Sequence, residues 1–69
     1  MKVKKATPEV IEAWRAEAEA QGAEWILVIH DEFLDEDYPA FYEHDLALGS
    51  AREFLEERAD KTIVAEVRV

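Results

Sequence analysis

Apolar residues in the first third of the chain recur every three or four positions, as they do on one face of an α-helix. The residues with this spacing are Val10, Ile11, Trp14 and Ala18. Thr7 followed by Pro8 provides an N-cap and a residue suited to the first helical position. Gly22 can adopt the left-handed conformation that ends many helices. We therefore predict a helix over residues 8–21, with Trp14 in the core.

A continuous apolar run occupies residues 25–29. Apolar side chains at successive positions point to both faces of a strand, which is typical of a strand covered on both sides. The chain then becomes polar, and we predict a hairpin turn over residues 34–37 and a returning strand over residues 38–43. Pro39 cannot donate a hydrogen bond to a neighbouring strand, so the returning strand should lie at an edge of the sheet. Trp25 should belong to the core.

The second half of the chain contains patterns for one helix and one strand. Residues 50–53, Ser-Ala-Arg-Glu, match a capping box, in which the serine and glutamate side chains satisfy backbone amides at a helix start. This predicts a helix over residues 51–59. Residues 62–69 alternate between apolar and polar, which indicates a half-buried strand. Residues 2–6 are predicted to form a short first strand.

The predicted elements follow the order β-α-β-β-α-β in a single domain of residues 1–69. This order predicts an α+β fold of the ferredoxin-like type, in which a four-stranded antiparallel sheet carries both helices on one face. If residues 2–6 do not pair, the alternative is a three-stranded sheet with two helices. A chain of this length buries only about 60% of its unfolded surface, so the core must be small.

The charged residues are unevenly distributed. Seventeen acids and eight bases give a formal net charge of −9, yet no lysine or arginine occurs between Arg15 and Arg52. That gap contains ten acids, and seven of them fall within residues 31–45. The seven acids are Asp31, Glu32, Asp35, Glu36, Asp37, Glu43 and Asp45. Such a segment disfavours direct binding to nucleic acid and to anionic membranes, because both depend on protein cations.

A concentrated acidic segment favours a basic binding partner, because clustering adds self-repulsion that scattered charges would avoid. We predict that the seven acids form one face, with Tyr38 and Tyr42 beside them as aromatic contacts. Glu17, Glu19 and Glu24 would extend this face if they lie on the same side. The alternative is that the acids only promote solubility. Like charges also raise the pKa of neighbouring carboxyls, so we expect greater stability at pH 5 than at pH 8.

Residues that could support chemistry are few. His30 and His44 each precede an aspartate, and the predicted hairpin places His30 opposite Phe41, so the two imidazoles need not meet. Two histidines on different stretches do not define a metal site, which needs three or four converging ligands. Cysteine is absent, and Ser50 and Thr7 are better explained as helix caps than as nucleophiles. We therefore expect no catalytic residue, cofactor or metal.

Residues 31–39, Asp-Glu-Phe-Leu-Asp-Glu-Asp-Tyr-Pro, resemble a stretch in small uncharacterised proteins of phages and mobile elements. In those proteins an apolar strand leads into an acidic turn that ends in Asp-Tyr-Pro. The small size and acidity of the chain also resemble the anti-CRISPR proteins, several of which imitate the charge of nucleic acid. That class shares a strategy rather than a motif, so no residue role is carried over.

The resemblance implies a non-enzymatic inhibitor that blocks a basic groove on a nucleic-acid-binding complex of the CRISPR type. It would act in the cytoplasm of a bacterial host, as a monomer or a weak homodimer. Two alternatives remain open from the residues alone. One is a small regulatory module for another basic partner, and the other is a structural or designed ferredoxin-like domain.

Overall fold

A computed structural model describes residues 2–69, which form two helices and three strands. The elements in chain order are α1 (Pro8–Gln21), β1 (Trp25–Asp31), β2 (Glu36–Tyr42), α2 (Asp45–Glu56) and β3 (Lys61–Arg68). The sheet has the order β2-β1-β3, and both outer strands run antiparallel to β1. The predicted α+β class is therefore confirmed, in the form of the three-stranded alternative. Pro39 lies on the edge strand β2, as expected.

The predicted first strand is reduced to one bridge. Within residues 2–6 only Val3 pairs, through backbone hydrogen bonds in both directions with Asp37, and the Val3 N–H lies 2.9 Å from the Asp37 carbonyl oxygen. The fourth strand of the ferredoxin-like arrangement is therefore missing. Val3 is the only strongly apolar residue of this segment, so a longer strand would bury little additional apolar surface.

One face of the sheet is covered by α1. Ile26 and Val28 of β1 are fully buried there against Trp14 and Ala18, which are 1% and 0% exposed. The helix has the predicted bounds because its caps are local: the Thr7 hydroxyl oxygen accepts the Val10 N–H at 3.3 Å. At the other end Gly22 is left-handed, with φ of 76°, and ends the helix as predicted.

The opposite face of the sheet is covered by α2. Leu27 and Ile29 of β1 pack there against Leu48 and Leu55. The prediction that both helices share one face is therefore wrong. The central strand is apolar on both sides, and each side needs its own cover to be removed from water.

The second helix starts six residues earlier than the capping box suggested. His44 is the N-cap, and its Nδ1 accepts the Ala47 N–H at 3.2 Å. Gly49 and Ser50 lie inside the helix, so Ser50 is not its cap as predicted. Starting at Asp45 adds Leu48 to the apolar stripe of α2, and this tertiary burial outweighs the local capping pattern.

Candidate interaction site

The hairpin between β1 and β2 turns over residues 32–35, two residues earlier than predicted. The Asp35 N–H donates to the carbonyl oxygen of Asp31 at 2.7 Å, and Asp35 is left-handed with φ of 55°, a conformation that aspartate tolerates. The Asp31 side chain accepts the backbone N–H groups of Phe33 and Leu34 at 2.9 and 3.1 Å. One carboxylate therefore fixes the conformation of the loop.

The same carboxylate also connects the hairpin to β3. Asp31 is only 6% exposed, and its Oδ2 accepts the Lys61 ammonium at 2.8 Å. The bond to Lys61, followed by the loop amides, lowers the pKa of Asp31 to about 2, and it raises the pKa of Lys61. Asp31 is thus charged at neutral pH, and its charge is neutralised within the chain.

The side chain of a second buried aspartate lies on the other face of the hairpin, where it forms hydrogen bonds. Asp37 is 4% exposed; its Oδ2 accepts the Ala6 N–H at 2.7 Å, and its Oδ1 lies 2.7 Å from His30 Nδ1. Burial alone would raise the pKa of Asp37, but the Ala6 amide and His30 outweigh it and the pKa is lowered. Together with the Val3 bridge, these contacts attach the N-terminal segment to β2.

His30 lies between two carboxylates. The observed register pairs it with Asp37 rather than with Phe41, which corrects the predicted hairpin. Its Nε2 also lies 3.2 Å from an oxygen of Asp35. The hydrogen bond to Asp37 is the main cause that raises the pKa of His30, and the charges of Glu32 and Asp35 add to it while burial opposes it. Only the protonated ring can donate to both aspartates.

We expect His30 to make the protein more stable at pH 5 than at pH 8. Its pKa is raised above the ordinary 6.5, so its contribution is complete below about 6.5 and is lost as pH rises through the folded value. The pKa values of Asp31, Asp37 and Asp60 are lowered, so their contributions change only at lower pH. Thermal melts of wild type and His30→Gln at both pH values measure the difference. An equal difference in both proteins would contradict this assignment.

The sequence also led us to expect greater stability at pH 5 than at pH 8, but through the carboxyl groups rather than through His30. Mutual repulsion was expected to raise carboxyl pKa values, whereas each carboxyl with a resolved shift has its pKa lowered by hydrogen bonds or a cation.

Bases from distant parts of the chain surround the hairpin. The Tyr38 ring is half-buried, with the ammonium groups of Lys2 and Lys61 at 5.8 and 5.5 Å from its centroid, within the range of a cation–π interaction. Nearby, the guanidinium of Arg58 makes two hydrogen bonds of 3.1 Å to Asp60. Tyr38, a predicted aromatic contact, therefore already has cationic neighbours. The absence of bases from the middle of the sequence is partly compensated in space.

The seven predicted contact acids do not form one face. Five of them lie at the hairpin, whereas Glu43 and Asp45 follow the far end of β2. The seven residues of β2 separate the two groups by roughly 20 Å. Of the five hairpin acids, Asp31 and Asp37 are buried. The exposed carboxylates at the hairpin belong to Glu32 and Asp35, with Glu36 half-buried.

We use the name acidic end for four exposed acids at the end of the sheet away from the hairpin. They are Glu24, Glu43 and Asp45, together with Glu19 in the last turn of α1, which leads into β1. The Glu24 N–H donates to the Tyr42 carbonyl oxygen at 2.9 Å, and the register that pairs Trp25 with Tyr42 places Glu24 across from Glu43. The half-buried Trp25 donates its Nε1–H to Asp45. Tyr42 is half-buried as well, and burial raises its pKa.

Two arginines lie near the acidic end, and one of them, Arg15, is one helical turn before Glu19 in α1. Arg68 is close, with its guanidinium 5.5 Å from the centroid of the Trp25 ring. Within residues 2–69, however, no carboxylate of the acidic end forms an ion pair with a lysine or arginine. The acidic end is therefore one of the places on the described surface where exposed carboxylates have no ion-pair partner from the chain itself.

The most exposed aromatic residue within residues 2–69 was not predicted as a contact. Phe33 is 88% exposed at the tip of the hairpin, and the adjacent Leu34 is 48% exposed. The pattern that could have revealed them is a Phe-Leu pair inside an otherwise acidic turn, where neither residue has a place in an alternating strand.

Over residues 2–69 no group of three or more histidines, cysteines or carboxylates is arranged to hold a metal ion, and no cavity is present. In the same part of the chain no helix is long and apolar enough to cross a membrane. No protein-family model matches this chain, and no curated protein or solved structure is significantly similar to it.

Proposed function

We propose that this chain is a non-enzymatic acidic interaction protein that binds a basic groove on a nucleic-acid-handling protein and thereby excludes nucleic acid. The observation that carries the proposal is the acidic end, whose four exposed carboxylates have no lysine or arginine partner within residues 2–69. The resemblance of residues 31–39 to phage and mobile-element proteins, together with the small size and acidity that resemble anti-CRISPR proteins, suggests a complex of the CRISPR type in a bacterial cytoplasm as the target.

The physical basis of the proposal is charge complementarity. A nucleic-acid groove contains lysines and arginines that replace the counterions of phosphate. Carboxylates on a rigid scaffold can occupy the same positions, and their field accelerates association. The Trp25–Asp45 hydrogen bond and the Glu24–Tyr42 backbone bond fix part of this spacing. Within the predicted contact set, Glu43 and Asp45 therefore support the proposal most directly.

The hairpin acids contribute less to such a surface. Asp31 and Asp37 are buried and bonded within the chain, so removing their charges would disturb the fold rather than test binding. Amide variants at the acidic end change surface charge without breaking an ion pair in the described chain.

The test compares two triple variants, each of which raises the formal net charge by three, from −9 to −6. The test variant carries Glu19→Gln, Glu24→Gln and Glu43→Gln. The control carries Glu9→Gln, Glu53→Gln and Glu57→Gln, at exposed positions outside the acidic end. Each immobilised protein is incubated with a bacterial lysate, and retained proteins are eluted first with a duplex DNA oligonucleotide and then with salt.

We expect wild type and control to retain proteins that the DNA releases, and the test variant to retain about tenfold less, because three exposed ion pairs together are worth roughly that factor. Equal loss in both variants would show that only net charge matters. Release by salt but not by DNA would instead favour a basic partner unrelated to nucleic acid, and would contradict the proposal.

A further inference from the structure

The hairpin tip, which comprises residues 32–36, presents an apolar anchor with an acidic rim. Phe33 and Leu34 are exposed next to each other, whereas the other large exposed apolar residues stand apart from one another in sequence. Those other residues are Leu46, Phe54 and Val64. We infer that the hairpin tip is a docking surface whose Phe33 ring enters an apolar pocket rimmed by lysines and arginines on a partner protein.

The anchor is held in place before binding. The loop amides of Phe33 and Leu34 are bonded to Asp31, which is itself fixed by Lys61. A loop that is already ordered loses little conformational freedom when it binds, so more of the contact energy appears as affinity. An aromatic ring on such a loop has the features of a residue that dominates an interface.

The charges around the anchor determine the partner. Glu32, Asp35 and Glu36 flank the apolar pair, and within residues 2–69 none of the three is ion-paired to a lysine or arginine. Glu32 accepts the Thr62 hydroxyl at 2.8 Å, and Asp35 lies beside His30. A pocket that accepts Phe33 would bring its rim against these carboxylates, so a cationic rim is complementary. An anionic lipid surface would be repelled.

This inference does not depend on the proposed function. The hairpin tip and the acidic end lie at opposite ends of β2, roughly 20 Å apart. Binding by the hairpin tip can therefore be absent while binding by the acidic end is present, or the reverse. Variants at the two sites distinguish these outcomes.

The test uses a defined host in place of the unidentified partner. β-Cyclodextrin has an apolar cavity that admits a phenyl ring, and its amino derivative carries ammonium groups around one rim. Calorimetric titrations compare the neutral and the cationic host with four proteins. These are wild type, Phe33→Ala, the double variant Asp35→Asn with Glu36→Gln, and the control Phe54→Ala, which removes the other exposed phenylalanine.

We expect wild type to bind the cationic host about tenfold more tightly than the neutral one, because several exposed ion pairs add to ring insertion. Phe33→Ala should lose binding to both hosts at least tenfold, and Phe54→Ala should bind as wild type does. The double amide variant should reduce the preference for the cationic host to about threefold or less.

Equal affinity of wild type for the two hosts would overturn the inference, as would unchanged binding by Phe33→Ala. Sedimentation with phosphatidylcholine vesicles tests a lipid as the alternative occupant. We expect no sedimentation that depends on Phe33. Sedimentation lost in Phe33→Ala would overturn the inference, because it would show that the hairpin tip binds a membrane rather than a protein pocket.

Discussion

Trp14→Ala should leave the chain largely unfolded at 25 °C. Trp14 is 1% exposed and is the largest side chain between α1 and the sheet. Truncation of a buried aromatic residue costs roughly 3–5 kcal/mol, and the core of a chain of this size supplies only about 3–5 kcal/mol of net stability. Far-UV circular dichroism and urea titration measure the loss of structure and the change in the free energy of unfolding.

Two further variants make this prediction specific to packing. Phe54 is 60% exposed, so Phe54→Ala should change the free energy of unfolding by less than about 1 kcal/mol. The buried Trp14 Nε1 has no hydrogen-bond partner in the described chain, so Trp14→Phe keeps most of the apolar contact while it removes an unsatisfied donor. Trp14→Phe should therefore lower the free energy of unfolding far less than Trp14→Ala does. Equal urea midpoints for Trp14→Ala and Phe54→Ala would show that the α1 face of the core does not hold the fold together.

Asp31→Ala should lower the melting temperature by roughly 10 °C or more, because removing one partner of a buried ion pair leaves the other charge uncompensated. The substitution removes the acceptor of the Lys61 ammonium and of the Phe33 and Leu34 amides at once. Asp31→Asn retains an oxygen for the loop amides but no charge for Lys61, so it should fall between wild type and Asp31→Ala. Differential scanning calorimetry at pH 7 measures all three proteins.

The pH dependence of this effect follows from the lowered pKa of Asp31. Its ordinary value is 3.8 and its folded value is about 2, so the contribution is complete above about 4 and is lost as pH falls through the folded value. The difference between wild type and Asp31→Ala should therefore shrink between pH 4 and pH 2. Asp60→Asn breaks a more exposed pair with Arg58 and should have a much smaller effect at pH 7. Equal losses for the Asp60 and Asp31 variants would show that burial of the pair is unimportant.

The effect of the hairpin on stability and its effect on binding can be measured separately. Asp31 builds the loop that Phe33 occupies, whereas the Phe33 side chain itself is almost fully exposed. Phe33→Ala should therefore keep the melting temperature of the wild type within a few degrees. A binding defect in Phe33→Ala can then be assigned to the lost ring rather than to an unfolded loop.

Elements whose determinants are close in sequence could be predicted. The first helix has its bounds because Thr7 and Gly22 act on backbone groups within a few residues. Pro39 indicated an edge strand for a similarly local reason, its missing N–H. The apolar run of residues 25–29 correctly indicated a strand covered on both sides.

Elements that depend on burial by distant residues were predicted less well. The capping pattern of residues 50–53 is valid chemistry, but Leu48 gains more from contact with Ile29 and Leu27 than the alternative start would provide. The side of the sheet on which each helix packs could not be derived either. A strand that is apolar on both faces can be covered by a helix on either face, and the connectivity of the chain decides which helix covers which face.

The net charge of −9 and the absence of bases over 36 positions can be read directly from the amino-acid sequence, and they indicate a general preference for a basic partner. Which carboxylates remain exposed for a partner depends on contacts that form only in the folded chain. Lys61 lies 30 positions from Asp31, and Ala6 lies 31 positions from Asp37, yet both reach hydrogen-bond distance. Electrostatic energy depends on separation in space rather than along the chain, so Asp31 and Asp37, two of the acids predicted to contact a partner, instead stabilise the fold itself.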